Sequence, residues 1–137
     1  MIRKSKTTAQ TPTSHRVFVY GTLKKGYRNN VLLSRSTFVA PATTNPEFRL
    51  YDNGSYPCLV KAKDGEVAHE VIGEVWIVDD HTLSRLDQLE NAPDLYHREE
   101  IELIDQEKAW AYIYNYDTSR FHECGNQWPE AKVMAKN

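Results

Sequence analysis

One acidic residue of the sequence stands where a proton-transfer group would be useful. Glu90 lies seven positions after Leu83, and at ~100° per residue two such side chains point in directions only about 20° apart. Leu86, four positions before Glu90, lies directly beneath it on the same helical face. The spacing predicts that Glu90 projects from the apolar stripe of a helix, with solvent on the side of Ser84, Arg85 and Gln88.

This position would change the acidity of the carboxyl group. Removal of a carboxylate from water disfavours its charged form, and the last turn of a helix carries the negative end of the macrodipole. Both effects raise the pKa of Glu90 towards the range that a general base needs near neutral pH. An alternative stays open, in which Glu90 reaches solvent or forms a structural ion pair with a basic residue such as Arg98.

A second candidate feature is the tetrapeptide Tyr20-Gly21-Thr22-Leu23, which follows the first predicted strand. Gly21 can adopt a positive φ or let a ligand approach the backbone closely. Successive backbone N–H groups could bind a carboxylate or a developing oxyanion, and Thr22 adds a hydroxyl donor. The alternative is an ordinary turn followed by a solvated edge that carries Lys24 and Lys25.

These two features need a scaffold that brings them together. Apolar and β-branched runs predict strands over residues 16–20, 37–43, 48–51, 58–61, 70–78, 97–104 and 108–116. We predict a helix that is capped by Asp79 or Asp80 and runs through Glu90. Pro93 prevents this helix from continuing. Asp64-Gly65 predicts a two-residue hairpin turn. The pattern predicts an α+β fold, with a barrel-like, strongly curved, mostly antiparallel sheet and a few short helices.

The length and net charge of the chain indicate a single domain and argue against several classes of protein. A chain of 137 residues fits one domain, which we expect over residues 15–137 behind a polar, flexible N-terminal arm over residues 1–14. The net charge of −2 offers no footprint for nucleic acid or for a membrane surface. No apolar run approaches the ~20 residues of a membrane helix, and the arm lacks the apolar segment of a signal peptide, so we expect a cytoplasmic location.

Sequence motifs give little support for a metal site or for a catalytic nucleophile. Cys58 and Cys124 are far apart without a CxxC spacing, so a structural zinc site is not predicted and two free thiols are the favoured interpretation. No HExxH motif suggests a metalloenzyme, and no GxSxG motif suggests a serine hydrolase. We therefore expect no metal site.

Taken in order along the chain, several segments resemble one family. These segments are VFVYGTLKKGYRNN over residues 17–30, GSYPCLV over 54–60, VIGEVWIVDD over 71–80, LSRLDQLENAPDLYHRE over 83–99 and AWAYIY over 109–114. The ordered set is similar to the gamma-glutamylcyclotransferase-like family. The resemblance covers roughly residues 16–116, whereas the N-terminal arm and the tail after Tyr116 have no clear match.

The resemblance implies a barrel-like α+β fold, a small-molecule gamma-glutamyl substrate and no cofactor or metal. It also implies that the backbone amides of Tyr20, Gly21, Thr22 and Leu23 bind the gamma-glutamyl group, and that Glu90 is the catalytic carboxylate. The implied reaction is cyclisation, in which the substrate's own α-amine attacks its γ-carbonyl, releasing 5-oxoproline and an amine. A non-catalytic module that binds or senses a small molecule in the same pocket is the alternative.

Two further residues each allow two interpretations. Tyr96 either lines the pocket or is a core aromatic with a satisfied hydroxyl. Glu74, beside Gly73 in a predicted strand, either faces the same cavity or forms a cross-strand pair with a basic residue.

Overall fold

The computed structural model describes residues 13–130. Its elements are β1 (Ser14–Val19), a 3₁₀ helix (Asn30–Leu33), β2 (Thr37–Thr43), β3 (Phe48–Asp52), β4 (Pro57–Lys61), β5 (Ile72–Asp79), α1 (Asp80–Leu89), β6 (Tyr96–Glu102), β7 (Lys108–Tyr114) and β8 (His122–Glu123). Ser14 is already the first residue of β1. Residues 1–12 of the predicted arm lie outside the described part of the chain, so the arm stays a prediction.

The main sheet has five strands in the order β2-β5-β1-β7-β6. β1 pairs with β7 in parallel, and the other neighbours are antiparallel. An isolated bridge between Thr44 and Leu103 brings the ends of the edge strands β2 and β6 together, but no ladder joins these two strands in residues 13–130. The α+β class is thus confirmed, whereas the sheet is open and the predicted barrel is not confirmed.

A smaller sheet contains β4, β3 and β8 in that order. β4 pairs with β3 from Phe48–Lys61 to Asp52–Pro57, so the hairpin connection is residues 53–56. The prediction of a hairpin turn at Asp64-Gly65 was therefore wrong, because this turn leads out of β4 without joining two paired strands. β8 lies in the tail, where no strand was predicted, and it pairs with β3 through Tyr51–Glu123 and Asp52–His122.

Side chains on both faces of strand β1 are buried. Phe18 belongs to one hydrophobic cluster together with Leu50, Leu59 and Trp128, while Val17 and Val19 belong to a second cluster around Leu83 and Leu86. This division follows from the two-residue period of a strand, in which successive side chains point to opposite faces. The segment that follows β1 is therefore held by a rigid strand at the centre of the molecule.

Helix α1 packs one face on the second cluster. The Asp79 side chain caps its start by accepting the N–H of Thr82 at 2.8 Å. Leu83 and Leu86 are buried as the spacing predicts, whereas Leu89 is 40% exposed.

In residues 13–130 no helix is long and apolar enough to cross a membrane. Cys58 and Cys124 are both buried and free, as expected.

Candidate active site

A specific helix-ending motif fixes the backbone of Glu90. The N–H of Ala92 donates to the carbonyl of Asp87 at 2.9 Å and the N–H of Asn91 to that of Gln88 at 3.1 Å, which is the pattern of a Schellman motif. Asn91 has φ 53°, a left-handed conformation that asparagine tolerates better than most residues. Glu90 is thereby the C-cap residue, with its own N–H bonded to the carbonyl of Leu86.

The Glu90 side chain lines a pocket rather than open solvent. We call this cavity the inner pocket; its walls are Phe18, Val19, Tyr20, Gly21, Thr22, Leu23, Tyr56, Pro57, Glu90, Tyr96 and Tyr112. The structure thus brings together all five residues that the sequence singled out for the site. The cavity volume of the inner pocket is about 30 Å³, which is small beside the volumes common for small-molecule sites.

The electrostatic surroundings of the Glu90 carboxyl group favour its neutral form. Burial raises the pKa of Glu90 to about 7, because a desolvated carboxylate loses its hydration without a compensating partner. Within residues 13–130 no salt bridge involves Glu90, and Arg98 instead pairs with Asp87. The alternative of a structural Glu90–Arg98 pair was therefore wrong.

Gly21 is required by packing and not by its φ angle. A Cβ atom on Gly21 would lie 2.3 Å from Cγ and 2.8 Å from Cδ of Pro57, and Gly21 is not in the left-handed region. The close neighbour of this backbone is thus the first residue of β4. The Gly21 carbonyl accepts the N–H of Lys24 at 3.1 Å, which closes a turn directly after β1.

The turn leaves a row of backbone donors on the pocket wall. In the hydrogen bonds of residues 13–130, the N–H groups of Gly21, Thr22 and Leu23 have no protein acceptor. Backbone N–H groups that lack a partner in a concave site are suited to bind a carboxylate or an oxyanion. The Thr22 hydroxyl, by contrast, accepts from the side-chain amide of Asn29 at 2.8 Å.

Asparagine side chains hold the far side of this loop. Asn30 donates its side-chain N–H to the carbonyl of Leu23 at 2.8 Å, and the backbone N–H of Asn29 donates to the carbonyl of Thr22 at 2.9 Å. Because these carbonyls are engaged on the protein side, the conformation of the loop is fixed before any ligand binds. The role of the loop in substrate binding stays a prediction.

Two buried tyrosine hydroxyls complete the inner pocket. Tyr20 donates to the carbonyl of Tyr112 at 2.7 Å, and Tyr96 donates to the carbonyl of Pro57 at 2.6 Å. Each hydroxyl has therefore used its proton and retains only acceptor capacity. Tyr96 combines both roles considered from the sequence, since it lines the pocket and its hydroxyl is satisfied.

An outer pocket adjoins the inner one at Glu90. Its walls are Arg28, Asn29, Tyr56, Leu89, Glu90, Leu95 and Tyr96. Tyr56, Glu90 and Tyr96 line both cavities, so the Glu90 carboxyl lies at their boundary. Sequence reasoning missed Tyr56 and Arg28, although both lie inside segments that resemble the family.

Glu74 lies outside both pockets. Its Oε1 accepts the backbone N–H of Lys25 at 3.0 Å and the indole N–H of Trp76 at 3.1 Å. It therefore helps to hold the loop after β1 in place.

In the described residues no group of three or more His, Cys, Asp or Glu side chains could hold a metal ion.

Comparison with known families identifies the family of this chain. The family described as gamma-glutamyl cyclotransferase, AIG2-like, matches residues 17–130. The chain belongs to this family. The match includes the 20–23 loop and Glu90, and it continues past Tyr116 through β8, so the tail as far as residue 130 lies within the family match. The protein is thus an enzyme of the cyclotransferase class.

Individual relatives support the assignment to the cyclotransferases. A Vibrio cholerae protein, provisionally named a gamma-glutamylcyclotransferase, is 45% identical over 108 residues, which are 79% of this chain and 88% of that protein. Gamma-glutamylaminecyclotransferase A of Danio rerio is 35% identical over 109 residues, with coverages of 70% and 66%. The crystal structure of a Mus musculus AIG2-like protein superposes with a TM-score of 0.64 at 25% identity, covering 77% of this chain and 90% of the mouse chain.

Proposed function

We propose that this cyclotransferase releases 5-oxoproline from a gamma-glutamyl amine or a gamma-glutamyl amino acid, with Glu90 as the general acid and base. The observation that carries the proposal is a carboxyl group whose pKa burial raises to about 7 in a pocket that also contains the 20–23 loop. A group with a pKa near the working pH can both take and give a proton.

The nucleophile in this reaction belongs to the substrate. The α-nitrogen attacks the γ-carbonyl carbon, a C–N bond forms, and the bond between that carbon and the departing nitrogen breaks. The α-ammonium loses two protons in becoming a lactam N–H, and the departing nitrogen gains two in becoming an ammonium ion. Glu90 carries protons from the first nitrogen to the second, so no serine or cysteine nucleophile is needed.

The loop after β1 would stabilise negative charge in this reaction. The N–H groups of Gly21, Thr22 and Leu23 have no acceptor among residues 13–130, so they are available to the α-carboxylate of the substrate or to the oxyanion of the tetrahedral intermediate. Preorganised donors of this kind lower the barrier because they need no reorganisation when charge develops. The buried hydroxyl oxygens of Tyr20 and Tyr96 are acceptors that suit the α-nitrogen.

The experiment is an assay of 5-oxoproline release from a panel of gamma-glutamyl amines and gamma-glutamyl dipeptides. We expect Glu90→Gln to lower kcat by at least about a hundredfold, the lower range for loss of a general acid–base, while substrate binding by calorimetry persists. Glu100→Gln, which removes an exposed carboxylate outside both pockets, is the matched control. Undiminished turnover in Glu90→Gln contradicts the role of Glu90, and binding without product across the panel favours a sensing module.

A further inference from the structure

The outer pocket has a wall composition that the cyclisation itself does not require. Leu89, Leu95 and Tyr56 give it apolar sides, and Arg28 is the cationic side chain among its lining residues. Leu89 is 40% exposed, whereas Leu83 and Leu86 of the same helix are buried. An exposed leucine at the rim of a cavity is suited to contact an apolar part of a ligand.

The Arg28 guanidinium forms fewer hydrogen bonds than its N–H groups allow. Its Nη2 donates to the backbone carbonyl of Ser55 at 3.1 Å, which orients the group from the β3–β4 connection. A guanidinium has five N–H donors, so most of them remain free after this bond. No carboxylate of residues 13–130 forms a salt bridge with Arg28. Arg28 is thus an oriented cation without an anionic partner in the described chain.

The boundary between the two pockets lies at Glu90. Glu90 lines both cavities, and in the proposed reaction it must reach both the attacking and the departing nitrogen. If the inner pocket with its backbone donors holds the gamma-glutamyl group, the departing amine extends into the outer pocket. The groups that contact the departing amine are then Arg28, Tyr56, Leu89 and Leu95.

Resting on the proposed function, we propose that Arg28 determines specificity by binding a carboxylate on the departing amine, whose apolar part packs on Leu89 and Leu95. The substrate class is then the gamma-glutamyl derivatives of apolar α-amino acids. Simple amines lack the anion, and amines with a second positive charge would be repelled by Arg28. Arginine suits this task because its planar fork matches the two oxygens of a carboxylate.

The test uses two substrates that differ only in this carboxylate, gamma-glutamyl-leucine and gamma-glutamyl-3-methylbutylamine. We expect the wild-type enzyme to prefer the leucine compound by about tenfold in kcat/KM, the size of one charge-assisted hydrogen bond. Arg28→Gln should lower kcat/KM for the leucine compound more than for the 3-methylbutylamine compound, and so remove most of that preference. Arg35→Gln, at an exposed arginine outside both pockets, should keep the wild-type preference, and thermal unfolding checks that each variant is folded.

The outcomes separate this inference from the proposed function. Equal kcat/KM for the two compounds, or an equal loss for both in Arg28→Gln, overturns the role of Arg28 and leaves the cyclotransferase reaction intact. A wild-type preference for the 3-methylbutylamine compound overturns it as well. Absence of 5-oxoproline from every gamma-glutamyl compound overturns the proposed function itself, and with it the inference.

Discussion

Arg98 and Asp87 form a two-point ion pair at the end of α1. Nε of Arg98 lies 2.8 Å from Oδ1 of Asp87 and Nη2 lies 3.1 Å from Oδ2. The Tyr112 hydroxyl donates to the same Oδ1 at 2.7 Å. Burial works in the opposite direction, but these hydrogen bonds hold the pKa of Asp87 below its ordinary value. Arg98, considered from the sequence as a partner of Glu90, is thus paired with Asp87, and the Glu90 side chain lines the inner pocket.

The first prediction follows from this arrangement. Arg98→Met should lower the free energy of unfolding by about 1 kcal/mol, the size of a partly exposed ion pair, because the Asp87 carboxylate loses a partner. The acid limb of the kcat/KM profile, expected near the Glu90 pKa of about 7, should stay in place. Urea unfolding and pH–rate profiles of wild type and variant measure both quantities. An acid limb displaced to higher pH would mean that Arg98 acts on Glu90 directly.

The position of Glu90 could be predicted because its signals are local. Leu83 and Leu86 set the buried face, while Asn91 and Pro93 mark the end of the helix within three residues of Glu90. The hairpin error had a different origin. Asp64-Gly65 is a sound local turn, with Gly65 at φ 87°, but β4 pairs with the preceding strand β3 through residues 53–56. A turn signal by itself does not specify which strands pair.

The second prediction concerns the pH dependence of stability. Burial raises the pKa of Glu90 from 4.5 to about 7, so below pH 4.5 the carboxyl is protonated in both folded and unfolded chains and costs nothing. As the pH rises towards 7 the unfolded chain ionises first, and the folded state loses about 3 kcal/mol relative to it. Glu90→Gln should escape this loss. Its advantage over wild type in the free energy of unfolding should therefore grow between pH 4.5 and 8.

Asp79→Asn provides a comparison of opposite sign for this experiment. The Thr82 N–H lowers the pKa of Asp79, so its contribution to stability is present at neutral pH and is lost as the pH falls. The deficit of Asp79→Asn relative to wild type should thus shrink on acidification. Parallel stability curves for wild type and Glu90→Gln over the whole range would show that the Glu90 carboxyl is hydrated in the folded state.

The third prediction tests the contact between Gly21 and Pro57. A Cβ at position 21 would lie 2.3 Å from Cγ of Pro57, so Gly21→Ala must displace either the loop or β4. We expect a loss of about 1–3 kcal/mol of stability, typical of overpacking, and weaker substrate binding. In a double-mutant cycle, Pro57→Ala should recover a large part of both losses. Additive effects of the two substitutions would contradict a direct steric conflict.

The reason for Gly21 could not be found from the sequence. A glycine after a strand suggests either a positive φ or a close approach, and nothing local distinguishes the two. The atoms that decide the matter belong to Pro57, which is distant in sequence and reaches Gly21 only because the β3–β4 hairpin packs against the end of β1. The same holds for Tyr56 and Arg28, whose place in the pockets depends on long-range packing.

The last prediction concerns the tail, whose role no local pattern indicated. The Trp128 carbonyl accepts from the Lys24 ammonium group, and the Trp128 ring lies 5.7 Å from that of Tyr27. Trp128 is 8% exposed and belongs to the same buried cluster as Tyr20. It therefore fixes the loop that continues from the backbone donors of residues 21–23.

Trp128→Leu should raise KM by about fivefold or more with a smaller change in kcat, because a mobile loop must be ordered again on each binding event. Trp110→Leu removes a half-buried indole outside both pockets and is the matched control. Both variants are expected to lose stability through the lost ring contacts, so the assays are made well below both unfolding midpoints. If Trp128→Leu and Trp110→Leu lower stability alike and neither changes KM, the tail supports the core and does not position the loop.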